Sequence, residues 1–150
     1  MDKYEYRVKL EQIEKLVSKK DFITAAKIAD GIDWRRVKSV NTLNMIADIY
    51  EETNRLEDCM EILEMVYDRS PIGRAAIYRM AETSVKMGDF EKAKELYRAF
   101  VKIAPNNLNR YLLKYSICRA QGDSLEEQIG ILEEYKSLLS TSFSLESCIN

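Results

Sequence analysis

Histidine is absent from this chain of 150 residues, and with it goes the side chain that most often serves as a general base near neutral pH. Cysteine is scarce and ill-spaced: Cys59, Cys118 and Cys148 are odd in number, stand far apart and form no CxxC. That pattern argues against a disulfide framework or a thiolate metal site, and it reads as reduced thiols in a cytoplasmic protein. Glycine and proline are few, at five and two residues, which disfavours a turn-rich β fold. No apolar run approaches membrane-spanning length, and Met1 to Leu10 lacks the basic and apolar regions of a secretion signal. Nor is there an excess of one charge. A formal net charge of −2 argues against a general nucleic-acid binder, which needs a concentrated basic face.

What the chain does have is 46% apolar and 32% charged residues, enough to bury a core with helices, and a period. Pro71 and Pro105 stand 34 positions apart, as do Gly88 Asp89 and Gly122 Asp123, while Asp21 Phe22 lies two such steps before Asp89 Phe90. A fixed period of this size marks stacked supersecondary units. The repeats fall at about 6–39, 40–73, 74–107 and 108–139, a helical repeat domain over 1–139, followed by an irregular tail at 140–150.

Each repeat carries two runs with helical spacing. Tyr6, Leu10, Ile13, Leu16 and Val17 mark the first face, and Phe22, Ala25, Ala26, Ile28, Ala29 and Ile32 mark its partner after an N-cap at Asp21. In the second repeat Leu43, Ile46, Ala47 and Tyr50 are followed by Leu56, Cys59, Leu63 and Val66, with Asn54 and Glu57 spaced as a capping box and Pro71 as the stop. The third is cleanest: Ile77, Met80, Ala81 and Ser84, then Gly88 and Asp89, then Phe90, Ala93, Tyr97 and Phe100 up to Pro105. The fourth opens with Leu108, Tyr111, Leu112, Tyr115 and Cys118. With one extra turn residue and a capping box at Ser124 and Glu127, its second helix places Leu125, Gln128, Ile129, Leu132 and Tyr135 at the positions of Phe90, Ala93, Lys94, Tyr97 and Phe100.

Ala47, Tyr50, Leu63 and Pro71, and again Ala81, Ala93, Tyr97 and Pro105, resemble the signature positions of the tetratricopeptide repeat family, with Leu43 and Ile77 in place of its usual tryptophan. The resemblance implies an all-α fold, a right-handed α-solenoid of about four antiparallel helix pairs, and a concave groove lined by the first helix of each pair. Counted in the family's register, that groove receives Asn41, Asn44, Met45, Asp48 and Glu52 from the second repeat. The third contributes Tyr78, Arg79, Glu82 and Lys86, and the fourth Asn109, Leu112, Ser116 and Arg119. Such side chains suit the backbone of a peptide or protein segment, with Tyr78 as an aromatic anchor. Some family members hold a chaperone's C-terminus with a two-carboxylate clamp of Lys, Asn and Arg. Leu10, Glu14, Met45 and Ala75 stand where that clamp needs other residues and only Arg79 matches, so such a ligand is disfavoured.

Catalysis has little to stand on. No phosphate loop, metal-ligand cluster or nucleophile elbow is present, and neither a cofactor nor a metal is called for. Adjacent carboxylates at Glu51 Glu52 and Glu133 Glu134 diverge on a helix and suit a solvated face. Trp34 beside Arg35 and Arg36 reads two ways: a plug at the joint between repeats, or a secondary patch for an acidic partner. Past Leu139 the serine-rich tail either folds back through Phe143, Leu145 and Ile149, or the chain is the front of a longer array. The expectation is a non-enzymatic interaction scaffold with a protein or peptide ligand, no nucleic acid and no membrane insertion. Its alternative is a self-assembly module, a homo-oligomer formed through the uncapped fourth repeat.

Overall fold

Four turns at the same phase of the period set this architecture. Lys20, Asn54, Gly88 and Gly122 all take left-handed backbone, with φ of 60°, 58°, 77° and 80°. At each, the next residue's amide reaches back five residues: Asp21 to Leu16, Arg55 to Tyr50, Asp89 to Ser84 and Asp123 to Cys118, at 2.9, 2.8, 2.9 and 3.0 Å. The left-handed residue's own amide bonds the carbonyl three before it, as Gly88 does with Val85 at 3.0 Å. These are Schellman motifs, which close a helix by satisfying its last carbonyls. Asn54 therefore ends one helix rather than capping the next, correcting the expected capping box. The following helix starts after Arg55 without a side-chain cap.

In the computed structural model residues 1–70 and 73–149 are described, with side chains described through Thr141. Pro71, the expected helix stop, and Ile72 lie outside the described residues. Among those described there are eight α-helices: α1 (Lys3–Ser18), α2 (Phe22–Ala29), α3 (Val40–Glu52), α4 (Leu56–Arg69), α5 (Arg74–Met87), α6 (Phe90–Ile103), α7 (Asn109–Ala120) and α8 (Leu125–Ile149). Asp21 and Asp89 cap α2 and α6 by accepting from Thr24 and Lys92 amides at 3.3 and 3.2 Å. Ser124 accepts from the Glu127 amide at 3.2 Å, so the extra residue of the fourth turn is absorbed by the cap.

The helices form two compact units, Met1–Ala76 and Ile77–Asn150. In the first, α1 packs on α2, α2 on α3 and α3 on α4, burying Ile13, Ala25, Ala29, Leu43, Ile46 and Leu63. In the second, Ala81, Ala93, Leu113 and Ile117 form one buried cluster of α5, α6 and α7, and Ile77, Phe100 and Ala104 form another. Small residues mark the helix crossings. Ala47 and Ala81 recur on first helices, with the larger Ile13 at that place in the first repeat, and Ala25, Cys59 and Ala93 recur on second helices, all at 0% exposure.

The fourth hairpin departs from this rule, because Tyr115 and Gln128 occupy those two crossing positions and remain half-buried. Two long side chains cannot close to the distance that alanines allow, so α8 turns a different face to α7: Gln128, Ile131, Tyr135 and Leu138 are half-buried. Leu125 and Leu132, at the positions of Phe90 and Tyr97 in the expected stripe, are 69% and 37% exposed, and Ile129, at the position of Lys94, is 44% exposed. The irregular tail expected at 140–150 is also corrected. Helix α8 continues to Ile149, with no glycine or proline after Gly130 to end it. Side chains of Phe143, Leu145 and Ile149, through which a fold-back was envisaged, lie outside the described residues, as does that of Cys148.

Lys20 bears the cost of a left-handed Cβ-bearing residue where the third and fourth repeats use glycine. Replacing Lys20 with Gly is expected to stabilise the chain by about 0.5–1 kcal/mol, a rise of roughly 2–3 °C in melting temperature. Lys19→Gly, at an ordinary φ of −89°, should lower it. Thermal melts of both variants by circular dichroism check this, and a Lys20→Gly melt no higher than that of Lys19→Gly would contradict it.

Candidate functional site

The expected groove residues fall on two separate units. Asn41, Asn44 and Asp48 lie on α3 in the first; Asn41 and Asp48 are exposed and Asn44 is half-buried. In the second unit α5 carries Tyr78, Arg79, Glu82 and Lys86, while α7 carries Asn109, Leu112, Ser116 and Arg119. Glu82, Lys86, Asn109 and Arg119 are exposed, and Tyr78, Arg79, Leu112 and Ser116 are half-buried. Both helices rest on the cluster of Ala81, Leu113 and Ile117, so the polar positions flank a shared apolar floor. This is what helical spacing dictates when one face is needed for stacking.

Tyr78 is less free than a ligand anchor would be. Its ring packs on Phe100 with centroids 5.2 Å apart and joins both buried clusters. Burial raises its phenol above the usual range, helped by the charge of Glu82 and by nearby Tyr135. Ser116 is likewise committed, donating to the Leu112 carbonyl at 3.0 Å.

Trp34 is buried rather than presented to solvent. The ring is 5% exposed, its indole nitrogen donates to the Ala29 carbonyl at 3.0 Å, and Tyr6 meets it edge-on at 6.4 Å. It fills the joint between α2 and α3. Arg35 and Arg36 stay exposed, Arg35 held by Asp33 at 3.0 Å. The same joint uses a residue that periodicity does not single out. Arg69 of α4 donates to Val37 and Arg35 carbonyls, the former at 2.7 Å, and so clamps the connection. Beside it, Asp30 accepts from the Tyr50 hydroxyl and from Arg55, both at 2.9 Å, and Arg55 also holds Asp58. The bond from Arg55 keeps the Asp30 carboxyl below its ordinary range.

A second site is the cleft of about 560 Å³ among α6, α7 and α8, the space left by the loose fourth hairpin. Lys94, Arg98 and Lys114 share its walls with Asp123, Glu127 and Glu134. At one end Cys118, Asp123 and Glu127 bring ligand-type atoms within 4.8 Å of one another. Burial, then hydrogen bonding to Asp123, pushes the Cys118 thiol up to about 11. It is thus a proton donor to Asp123 at neutral pH rather than a thiolate, which is the form that binds metals and attacks electrophiles. Cys59 is also buried and is in no disulfide. No helix among the described residues is long and apolar enough to cross a membrane.

Comparison with known proteins bears on the repeats. A profile described as "Tetratricopeptide repeat" matches residues 40–72 and 75–107. No curated protein matches the chain. Among solved structures, a tetratricopeptide repeat protein from Parabacteroides merdae ATCC 43184 is similar at 12% identity and a TM-score of 0.74. The match covers 93% of this chain and 54% of that one, so the chain spans about half that structure's length. MamA is similar at 14% identity and a TM-score of 0.63, over 94% of this chain and 80% of its own.

Proposed function

We propose that this chain, a tetratricopeptide repeat protein with an all-α fold of stacked helical hairpins, is a non-enzymatic scaffold that binds a peptide or protein segment along the first helices of its repeats. Tetratricopeptide repeats generally mediate protein–protein interaction, and the finer reading rests on one observation in the second unit. Helices α5 and α7 share a buried floor yet leave Glu82, Lys86, Asn109 and Arg119 exposed, with half-buried Leu112 among them. Charged and amide groups around an apolar strip can bond an extended backbone and bury one or two of its side chains. The exposed positions of α3, Asn41 and Asp48, supply a polar face of the same kind in the first unit.

The test is a selection of binders from a phage-displayed random-peptide library, followed by fluorescence anisotropy on each selected peptide. Arg119→Glu and Asn109→Ala change exposed side chains and should leave the melting temperature unaltered. Together they should weaken binding by at least about tenfold, the equivalent of 1.4 kcal/mol. Peptides that bind the double variant as tightly as the original chain would overturn this location.

A further inference from the structure

We propose that α8 pairs with the α8 of a second copy of this chain as a parallel, two-stranded coiled coil. The face turned away from α7 carries Leu125, Ile129, Leu132, Lys136 and Leu139, at steps of four, three, four and three residues. The sequence continues the alternation to Phe143. A strict seven-residue repeat of this form is the seam of a left-handed coiled coil. Leucine fills every d position of it, at 125, 132 and 139, and isoleucine the first a position, the combination that favours two parallel strands. The four apolar members are 69%, 44%, 37% and 36% exposed in chain order.

Helix length favours a second copy over a further hairpin as the occupant. On α2 and α6 the outward face is covered by the first helix of the next hairpin, α3 or α7. First helices α5 and α7 are 14 and 12 residues long, about 18–21 Å, whereas α8 has 25 residues and spans about 37 Å. A helix of repeat length would leave much of α8 bare. Another α8 matches it end to end.

Charge at the rim then favours one direction. Parallel pairing sets Gln128 against the partner's Glu133 and Tyr135 against the partner's Ser140, with no like charges across the rim. Antiparallel pairing sets e positions against each other, and these are Glu126 and Glu133. Lys136 is the single polar a residue; the parallel register sets it against the partner's Lys136, and a polar a residue fixes register and strand number at some cost in affinity. Its stem can lie along the seam while its ammonium turns out toward Glu133, one turn back.

Sedimentation velocity from low micromolar to several hundred micromolar tests this with the chain as it stands. A monomer–dimer equilibrium is expected. Leu132→Glu should raise its dissociation constant by about 100-fold, and Lys136→Ile should lower it about tenfold. Leu132 is on the open face, so Leu132→Glu should keep the same circular dichroism spectrum, which separates lost pairing from lost folding. Leu139→Cys, combined with Cys148→Ser, should oxidise to an interchain disulfide, because d positions face each other only in the parallel register. A monomer throughout overturns the proposal, as does a dimer indifferent to Leu132→Glu or a dimer that forms no such disulfide.

Discussion

Trp34→Ala is expected to lower the stability of the first unit by about 3–5 kcal/mol, which for a chain of this size is a fall in melting temperature of roughly 10 °C or more. The loss has three parts. A ring that is 5% exposed leaves a cavity at the joint between α2 and α3, the Ala29 carbonyl loses its donor, and Tyr6 loses its edge contact. Trp34→Phe separates them, since it keeps most of the volume and forfeits the hydrogen bond, at about 1 kcal/mol. Arg35→Ala and Arg36→Ala, exposed beside it, should each stay within about 0.5 kcal/mol. Circular dichroism melts give the magnitudes, and amide exchange should show the faster opening in α1 and α2. An unchanged Trp34→Ala melt would mean that the ring is held for a partner instead.

The fold was legible in the sequence wherever residue type and backbone demand coincide. Gly88 and Gly122 announce left-handed turns because glycine adopts that backbone cheaply. Lys20 occupies the same turn without such a label, and Asn54 is ambiguous, since asparagine suits both left-handed backbone and an N-cap, so its spacing to Glu57 reads as a cap. Small residues at the crossings were legible as the family's signature. Their replacement by Tyr115 and Gln128 shows as a weaker match, but the resulting rotation of α8 does not, since Leu125, Ile129 and Leu132 fit an inward stripe as well as an outward one. Only exposure decides between the two. Serines after Leu139 suggested a tail, but serine alone is a weak helix breaker, and the backbone continues as helix.

The candidate site was legible as positions, much less as roles. Register in the repeat assigns Glu82, Lys86, Asn109 and Arg119 to first helices, and they are indeed exposed. It cannot tell that Tyr78 is drawn into the packing around Phe100, because an aromatic beside a core position serves core and ligand equally well in one dimension. Nor could it find Arg69 or the pairing of Asp30 with Arg55. Those bonds span 32 and 25 residues, and neither arginine stands at a signature position.

The second large effect follows from the separation of faces on α7. Leu113→Ala is expected to cost about 2–5 kcal/mol, while Leu112→Ala, one position earlier, should cost much less. Leu113 is 0% exposed and shares its cluster with Ala81 of α5 and Ala93 of α6, two residues that have no side-chain length with which to close a cavity. Ile117 belongs to the same cluster, and Tyr78, Val85, Leu96 and Tyr97 pack against it, so the place within that range is set by how far these larger side chains move into the void. Leu112 is half-buried among the exposed polar groups of the proposed binding face, and its truncation removes surface that solvent already reaches. The pair is diagnostic when stability and peptide affinity are measured together. Leu113→Ala should lower the melting temperature and speed amide exchange across α5 to α7. Below its melt, it should leave affinity for a selected peptide within a few fold. Leu112→Ala should do the reverse, with a near-normal melt and weakened binding. Equal effects of the two on stability would mean that α7 is packed on both faces, and the surface between α5 and α7 would then have no apolar strip to offer.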